Sequence, residues 1–339
     1  RDTDRSRGLG DVYKRQGHSM LIDAGNNDKG TLVQNYLQHQ GVETLDYVIG
    51  THPDADHIGG MDVVLYKFDC KTIIMPDVAN NTRTYDDVVQ TMKNKGYKTT
   101  YPVVGETYTI GGAAFTIIAP NKEYGNDMNS WSVGVLLQNG NHRFLFTGDA
   151  EEGAEQDILQ NGIDISADVY KVAHHGSNTA TSQAFLDAVH PTYAVISAGE
   201  GNSYGHPHAE VLNRLRAAGV SVFRTDEQGT IVAASDGTTL TWNMSPSESW
   251  QAGEAKKSQD TDKSEKSTDS QNNAETDAAV SNPTDQTDGN SDVIVHITKT
   301  GEKYHSAGCQ YLRQSDIEVT LSEAKARGLT PCSKCNPPQ

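Results

Sequence analysis

Between Thr51 and Gly60 the chain reads THPDADHIGG, which sets two histidines and two aspartates within the six residues from His52 to His57. Gathering carboxylates and imidazoles this densely is costly unless a counter-ion joins them. The segment follows DYVIG, an apolar run with strand character, so its side chains project past a strand's C-terminal end. Open α/β sheets place their sites there. On such a loop His52, Asp54, Asp56 and His57 can turn toward one point, and these ligand types suit first-row divalent ions. The competing reading is a solvated loop whose aspartates cap a helix.

From Met20 to about Asn243 short apolar runs alternate with amphipathic ones. SMLIDAG, DYVIGTH, KTIIMP, FTIIAP, DVYKVAHHG, SVFRT and GTIVAAS read as strands. TLVQNYLQHQG reads as a helix stopped by Gly41, and HAEVLNRLRAAG as one stopped by Gly219. VGVLLQNGNHRFLFTGD is a hairpin turning at Asn139-Gly140. This order predicts an α/β sandwich of mixed sheets covered by helices. Cys70, beside a strand, reads as an inert core residue.

The 339 residues leave room for two domains, and a hydrophobic content of 35% implies that part of the chain does not fold. Residues 245–291, rich in Ser, Asp, Thr, Lys, Asn and Gln, are expected to form a disordered linker between a domain at 17–244 and a small module at 292–339. The Ser/Asp/Thr character of the linker resembles that of secreted bacterial proteins, so an extracellular or cell-surface location is expected. Residues 1–16, ending DVYKRQ, resemble translated sequencing-adapter sequence and are set outside the fold as artefact or flexible arm. The native beginning, with any signal or anchor, would then be missing. A net charge of −17 argues against a general attraction to nucleic acid through a basic surface. It leaves open a nuclease whose site is compensated by bound cations. No apolar run approaches the ~18 residues of a membrane span.

His52-x-Asp54-x-Asp56-His57 resembles the metallo-β-lactamase superfamily signature His-x-His-x-Asp-His. Asp54 stands for the middle histidine, as in ComEC-type competence proteins and their soluble relatives. LIDAG with Asp23, FLFTGD with Asp149 and KVAHHGS with His174 and His175 resemble the further motifs, and SYGHPH and FRTDEQGTI the C-terminal segments. The resemblance covers residues 17–242. It implies an αββα sandwich with two divalent ions, zinc or manganese. Their ligands would be drawn from His52, Asp54, Asp56, His57, Asp149, His175 and His174. Asp149 would bridge the ions and Asp23 would support the metal loop.

The His-x-Ser order favours His175 over His174 as ligand. Asp56 and His206 are the catalytic candidates, His206 as a phosphate contact or a proton donor to a leaving group. His208 is a weaker candidate, and Tyr204 reads as substrate-orienting or as packing. The implied activity is a phosphodiesterase or nuclease acting on DNA through a metal-bound hydroxide. Hydrolysis of another phosphoester or ester, such as a cell-wall component, and a catalytically weak binding protein remain as alternatives. The sequence specifies no protein partner.

Two departures qualify the resemblance. The superfamily's additional histidine is missing from NDMNSWSVGVLLQNG, leaving Asn129 and Ser130 as local candidates and His142 as a solvent-facing residue. The first metal position is then oxygen-rich, which shifts the balance toward manganese while leaving zinc open. Relatives also carry a strand before LIDAG, and its absence predicts an exposed sheet edge and poor folding. Phosphate affinity would fall to the ions and to local cations such as Lys171 and Arg224.

Near the end of the chain His305-SAG-Cys309 is followed by Cys332-SK-Cys335, ligands that close a tetrahedral zinc site. Between them LSEAKARG reads as a helix with Thr320 and Glu323 at capping-box spacing and Gly328 as its stop. So short a module builds little core, and a structural zinc would supply stability. The segment resembles the metal-binding domain of Ada-type DNA repair proteins over residues 293–338, with His305 replacing one cysteine. A targeting role toward nucleic acid or cell wall would follow.

Overall fold

The structure, a computed structural model, describes residues 11–15, 17–253, 294–298, 303–305, 317–326, 329–332 and 334–335. They divide between two compact units, Arg1–Thr261 and Asp262–Gln339.

The first half of the first unit runs β1 (Asp11–Arg15), β2 (His18–Ile22), α1 (Gly30–His39), β3 (Thr44–Ile49), α2 (Ala55–Ile58), α3 (Met61–Lys67), β4 (Asp69–Ile74), α4 (Arg83–Lys95) and β5 (Thr99–Thr100). Its strands form one sheet in the order β1-β2-β3-β4-β5, parallel from β2 to β5. The second half runs β6 (Thr107–Ile110), β7 (Ala113–Ala119), β8 (Gly134–Asn139), β9 (His142–Phe146), α5 (Glu152–Gln160), β10 (Val169–Lys171), α6 (Gln183–Val189), β11 (Tyr193–Ile196), α7 (Ala209–Ala217), β12 (Ser221–Arg224), α8 (Thr225–Gln228), β13 (Ala233–Ser235) and β14 (Leu240–Trp242). Strands β6 to β12 make a seven-stranded sheet in the order β12-β11-β10-β9-β8-β7-β6. It is antiparallel from β6 to β9 and parallel from β9 to β12.

Alternation along the strands decides the layering. Met20, Ile22, Ile49 and Ile74 from the first sheet meet Phe115, Ile117, Val135 and Leu137 from the second in a core between the sheets. The intervening Leu21, Val48 and Ile73 point the other way, onto Leu37, Leu65 and Val88 of the helices. On the second sheet Leu145, Tyr170 and Val222 pack with Ile158, Phe185 and Leu215 of α5, α6 and α7. The result is the αββα sandwich that the resemblance implied. The helix stop at Gly41 (φ 66°) and the hairpin glycine Gly140 (φ 60°) fall where the sequence placed them.

Two expectations are corrected. Asp11–Arg15, set aside with residues 1–16, forms β1 and pairs antiparallel with β2. Val12 packs with the helix-side cluster and Tyr13 with the inter-sheet core, so a short period-two pattern is present after all. The edge of β2 is therefore paired rather than exposed. The first unit also continues past residue 244. Ser247 N–H donates to Val222 O, Gly253 N–H donates to Pro207 O, and Trp250 packs against the second core. The remainder of the expected linker, from residue 254, lies outside the described residues.

The second unit places β15 (Ile294–Ile297), β16 (Lys303–His305), β17 (Ile317–Thr320) and β18 (Thr330–Pro331) in one sheet, ordered β17-β15-β16-β18. Its helix α9 (Leu321–Ala326) is the one expected from LSEAKARG. Val295, Ile297, Tyr304, Val319, Leu321 and Ala324 form its small core. Cys309, Gly328 and the side chains of Thr320 and Glu323 lie outside the described residues. Among the described residues no helix is long and apolar enough to cross a membrane.

A chain ending at Asn243 loses Trp250 and the Gln251 carbonyl that accepts from Arg224. Removing that burial and hydrogen bond is expected to cost about 2 kcal/mol, which for this size is roughly 4–8 °C in Tm. Thermal unfolding of this chain beside one ending at Gly253 measures it, and equal midpoints would restore residue 244 as the boundary.

Candidate metal centre

Asp23, the start of the Thr51–His57 segment (its last three residues in α2), Asp149 and His175 lie within four residues of the ends of β2, β3, β9 and β10, so both sheets deliver side chains to one place. Asp56, His57, Asp149 and His175 each offer a ligand atom within 4.8 Å of all the others. His57, Asp149 and His175 are buried, and Asp56 is nearly so. Asp149 Oδ2 lies 3.2 Å from His57 Nε2 and 3.4 Å from His175 Nε2, while Asp56 Oδ2 is 3.5 and 3.3 Å from the same nitrogens.

The imidazoles are oriented from behind. His57 Nδ1 is 2.7 Å from Asp23 Oδ2, and His175 Nδ1 is 2.8 Å from the Ser197 carbonyl. Both outer partners are acceptors, so each Nδ1 carries the proton and each Nε2 turns a lone pair inward. Despite their nearness to carboxylates, the buried Nε2 atoms of His52, His57 and His175 make no hydrogen bond. Buried polar atoms are normally satisfied, so three orphaned nitrogens beside carboxylates fit a cation. Without one the groups hold each other's charge. Burial opposes a charged His57, but Asp149 and Asp23 outweigh it and set its pKa well above the ordinary value. Burial likewise opposes ionised Asp149, and His175 and His57 outweigh it, holding its pKa well below the carboxylate range.

Backbone strain marks the same place. Asp23 (φ 60°), His174 (φ 47°) and His175 (φ 54°) all adopt left-handed conformations, each costing roughly 1–3 kcal/mol unless the surroundings fix it.

The sequence profile of the Metallo-beta-lactamase superfamily matches residues 12–200. The chain belongs to this superfamily. It is similar to ComE operon protein 3 of Bacillus subtilis, 33% identical over 196 residues that cover 58% of this chain and 25% of the relative. Recombination protein 2 of Haemophilus influenzae is 30% identical over 233 residues, covering 67% and 28%. Competence protein ComA of Neisseria gonorrhoeae is 28% identical over 230 residues, covering 67% and 31%. The chain thus spans between a quarter and a third of these relatives' lengths, within the ComEC-type branch of the superfamily.

The remaining residues named from sequence take distinct places around the superfamily's centre. His52 is fully buried with its ring centroid 4.0 Å from that of His57, and its Nε2 is 3.9 Å from Asp54 Oδ2. The pair flanks the four-residue group without entering it. Burial and the neighbouring His57 bring the His52 pKa down to about 4, so this ring is neutral at pH 7. His174 stays outside the group, 3.7 Å from Asp149 Oδ2, with its Nδ1 near Thr179 Oγ1 (3.1 Å) and Glu151 Oε1 (3.4 Å). His206 is buried beside both, its centroid 5.7 Å from His174 and 6.3 Å from His175. Burial, followed by His175, lowers its pKa to about 3. A neutral ring can hydrogen-bond a substrate oxygen.

Further expectations change. Asn129 Nδ2 donates to Glu151 Oε1 and the Ser130 backbone N–H donates to Asp127 Oδ1, and neither of these contacts reaches the centre. Ser132 stands at the centre instead: its hydroxyl accepts from Asp149 N–H at 2.9 Å and lies 3.3 Å from His52 Nδ1. Arg224 is no phosphate ligand, because it is buried against Asp226, Glu227 and the Gln251 carbonyl. Lys171 acts electrostatically on Asp11, opposing the rise in pKa that burial imposes there. His142 is half-buried and bonded to Ser235 Oγ at 2.7 Å rather than facing solvent. His208 is tied to Asn178 N–H and near the Tyr204 carbonyl, a structural role. Thr51 was missed although it stands in the loop itself. Its N–H and hydroxyl both donate to Asp23, at 2.8 and 2.9 Å.

In the second unit His305, Cys332 and Cys335 form a second group with ligand atoms within 4.8 Å of one another. Cys309 lies outside the described residues.

Asp23→Asn removes the charge behind His57 while keeping the shape. Loss of such an outer carboxylate is expected to weaken metal affinity roughly 10- to 100-fold with the fold retained. Competition against a chromophoric chelator, checked by circular dichroism, tests this; unchanged affinity would remove Asp23 from the centre's support.

Proposed function

We propose that the first unit is a metal-dependent phosphodiesterase that cleaves DNA. The observation that carries this reading is the set of buried imidazole nitrogens, free of hydrogen bonds and converging with Asp56 and Asp149 at the sheet ends. The similarity to competence proteins supports nucleic acid as the substrate. Divalent ions bound there, zinc or manganese, supply positive charge and an activated water for attack on the phosphodiester. His57, Asp149, His175 and Asp56 would hold those ions, with His52 and Asp54 as further ligands beside them. Asp23 and the Ser197 carbonyl fix the imidazole tautomers, and His206 donates a hydrogen bond to a phosphate oxygen. Ser132 keeps Asp149 and His52 in register.

The chain loaded with Mn²⁺ or Zn²⁺ is expected to hydrolyse bis-p-nitrophenyl phosphate and single- or double-stranded DNA, and His57→Ala with Asp149→Ala to lose at least 10³-fold of that rate. Hydrolysis of the small diester without DNA cleavage would redirect the substrate toward another phosphoester. No turnover by the folded, metal-loaded chain would leave a binding role.

For the second unit we propose a structural zinc held by His305, Cys332, Cys335 and Cys309. Its support is the proximity of the first three, with Cys335 Sγ 3.8 Å from His305 Nδ1, together with the small core formed by the described residues. Cys332→Ser is expected to lower bound zinc by one equivalent per chain, measured by elemental analysis after dialysis. A full complement in that variant would refute the assignment.

A further inference from the structure

Arginines in the first unit are largely committed. Arg83, Arg143 and Arg224 pair with carboxylates, and Arg216 lies over the Trp250 ring. Arg214, half-buried on α7, differs. Its Nη1 donates to the Thr181 carbonyl at 3.1 Å and the Ala180 carbonyl at 3.4 Å, and among the described residues no carboxylate lies within ion-pair distance. In a chain of net charge −17 this is an anchored guanidinium whose charge is unspent.

Arg214 walls a cleft of about 260 Å³ that is also lined by Glu152, Asn178, Thr179, Ser182 and Gln183. The cleft adjoins the metal centre through Thr179, whose hydroxyl is 3.1 Å from His174 Nδ1, and His174 is 3.7 Å from Asp149. Its wall is fixed in place, because the buried Glu155 carboxylate accepts from Thr181 N–H and Ser182 N–H at 2.5 and 2.9 Å. The lining holds no aromatic ring, so nothing there stacks a base. It offers a guanidinium, an amide and hydroxyls, the donor set that suits a phosphate oxygen.

We infer that this cleft is an anion subsite which takes a phosphate of the nucleic-acid strand next to the one being cleaved. The inference rests on the phosphodiesterase reading for its substrate and extends it to a second contact point. Arg214 supplies the attraction, and Asn178 and Ser182 supply neutral donors. Exposed Glu152 opposes the anion, which gives the site a signed signature: neutralising the two charged residues must move affinity in opposite directions.

The test is fluorescence anisotropy of a fluorescein-labelled oligothymidylate with the full chain, across a salt series, in an Asp149→Ala background that prevents turnover. Arg214→Gln is expected to weaken binding about tenfold and to flatten the salt dependence by about one charge's contribution. Arg214→Lys is expected to recover part of the loss, since it restores charge without the planar fork. Glu152→Gln is expected to tighten binding. Equal affinity of Arg214→Gln and its parent overturns the subsite. So does a loss that Arg214→Lys fails to recover at an unchanged thermal midpoint, and so does weakening by Glu152→Gln.

Turnover is measured separately with bis-p-nitrophenyl phosphate on the chain with Asp149 intact. If that diester is cleaved while Arg214→Gln leaves oligonucleotide binding unaltered, the subsite alone falls. If no diester is cleaved but Arg214→Gln still weakens binding with the predicted salt signature, the subsite stands and the catalytic reading falls.

Discussion

The centre depends on one half-buried carboxylate. Asp23 receives the Thr51 amide, the Thr51 hydroxyl and His57 Nδ1, and its own N–H donates to the Ile49 carbonyl. Burial alone would raise its pKa, yet His57 and these donors hold it below the ordinary carboxylate value. The same bonds fasten the end of β2 to the end of β3 and set the direction in which His57 presents Nε2. A carboxylate satisfied this way offsets the strain of its left-handed backbone.

The second dependence is between the sheets. The first sheet supplies Asp23 and the His52–His57 loop, and the second supplies Asp149 and His175, so the centre exists only while the inter-sheet core keeps both in register. A local joint enforces this. Val133 N–H donates to the Thr51 carbonyl, and Ser132 Oγ touches both Asp149 N–H and His52. Gly148 (φ 53°) makes the approach possible, since a Cβ there would sit 2.7 Å from Ser132 Oγ and 2.9 Å from Thr51 Cβ. The glycine of FLFTGD therefore serves close packing as well as the turn.

What the sequence disclosed followed from local rules. Ligand-rich HPDADH brings Asp56 and His57, but not His52 and Asp54, into the four-residue group, while the Asn139-Gly140 hairpin and the glycine-stopped helices carry their physics within a few residues and appear in the structure as read. Ser132, Thr51 and Arg224 do not. A serine in NSWSVG gains meaning only when β8 and β3 meet, and an arginine ending a strand looks like a surface cation until Asp226, Glu227 and Gln251 enclose it. The same limit applied at both ends of the first unit. Val12 and Tyr13 are too short a pattern to identify a strand without β2 beside them, and residues 245–253 look like the polar segment that follows until Trp250 finds its hydrophobic neighbours.

Charge sets the last constraint. Asp23, Asp54, Asp56 and Asp149 crowd the sheet ends, and a phosphodiester approaching these carboxylates alone would be repelled. Bound divalent ions reverse that local field, because an ion is the largest charge in such a site and its surroundings take their sign from it. On the proposed reading, overall acidity would act as a filter, suppressing indiscriminate adhesion to nucleic acid and confining attraction to where cations are held. A lone guanidinium such as Arg214 gains importance under these conditions. With Arg143 and Arg224 already neutralised by neighbouring carboxylates, the proposed subsite at Arg214, which has no ion pair among the described residues, would tell a strand carrying several phosphates from a single diester.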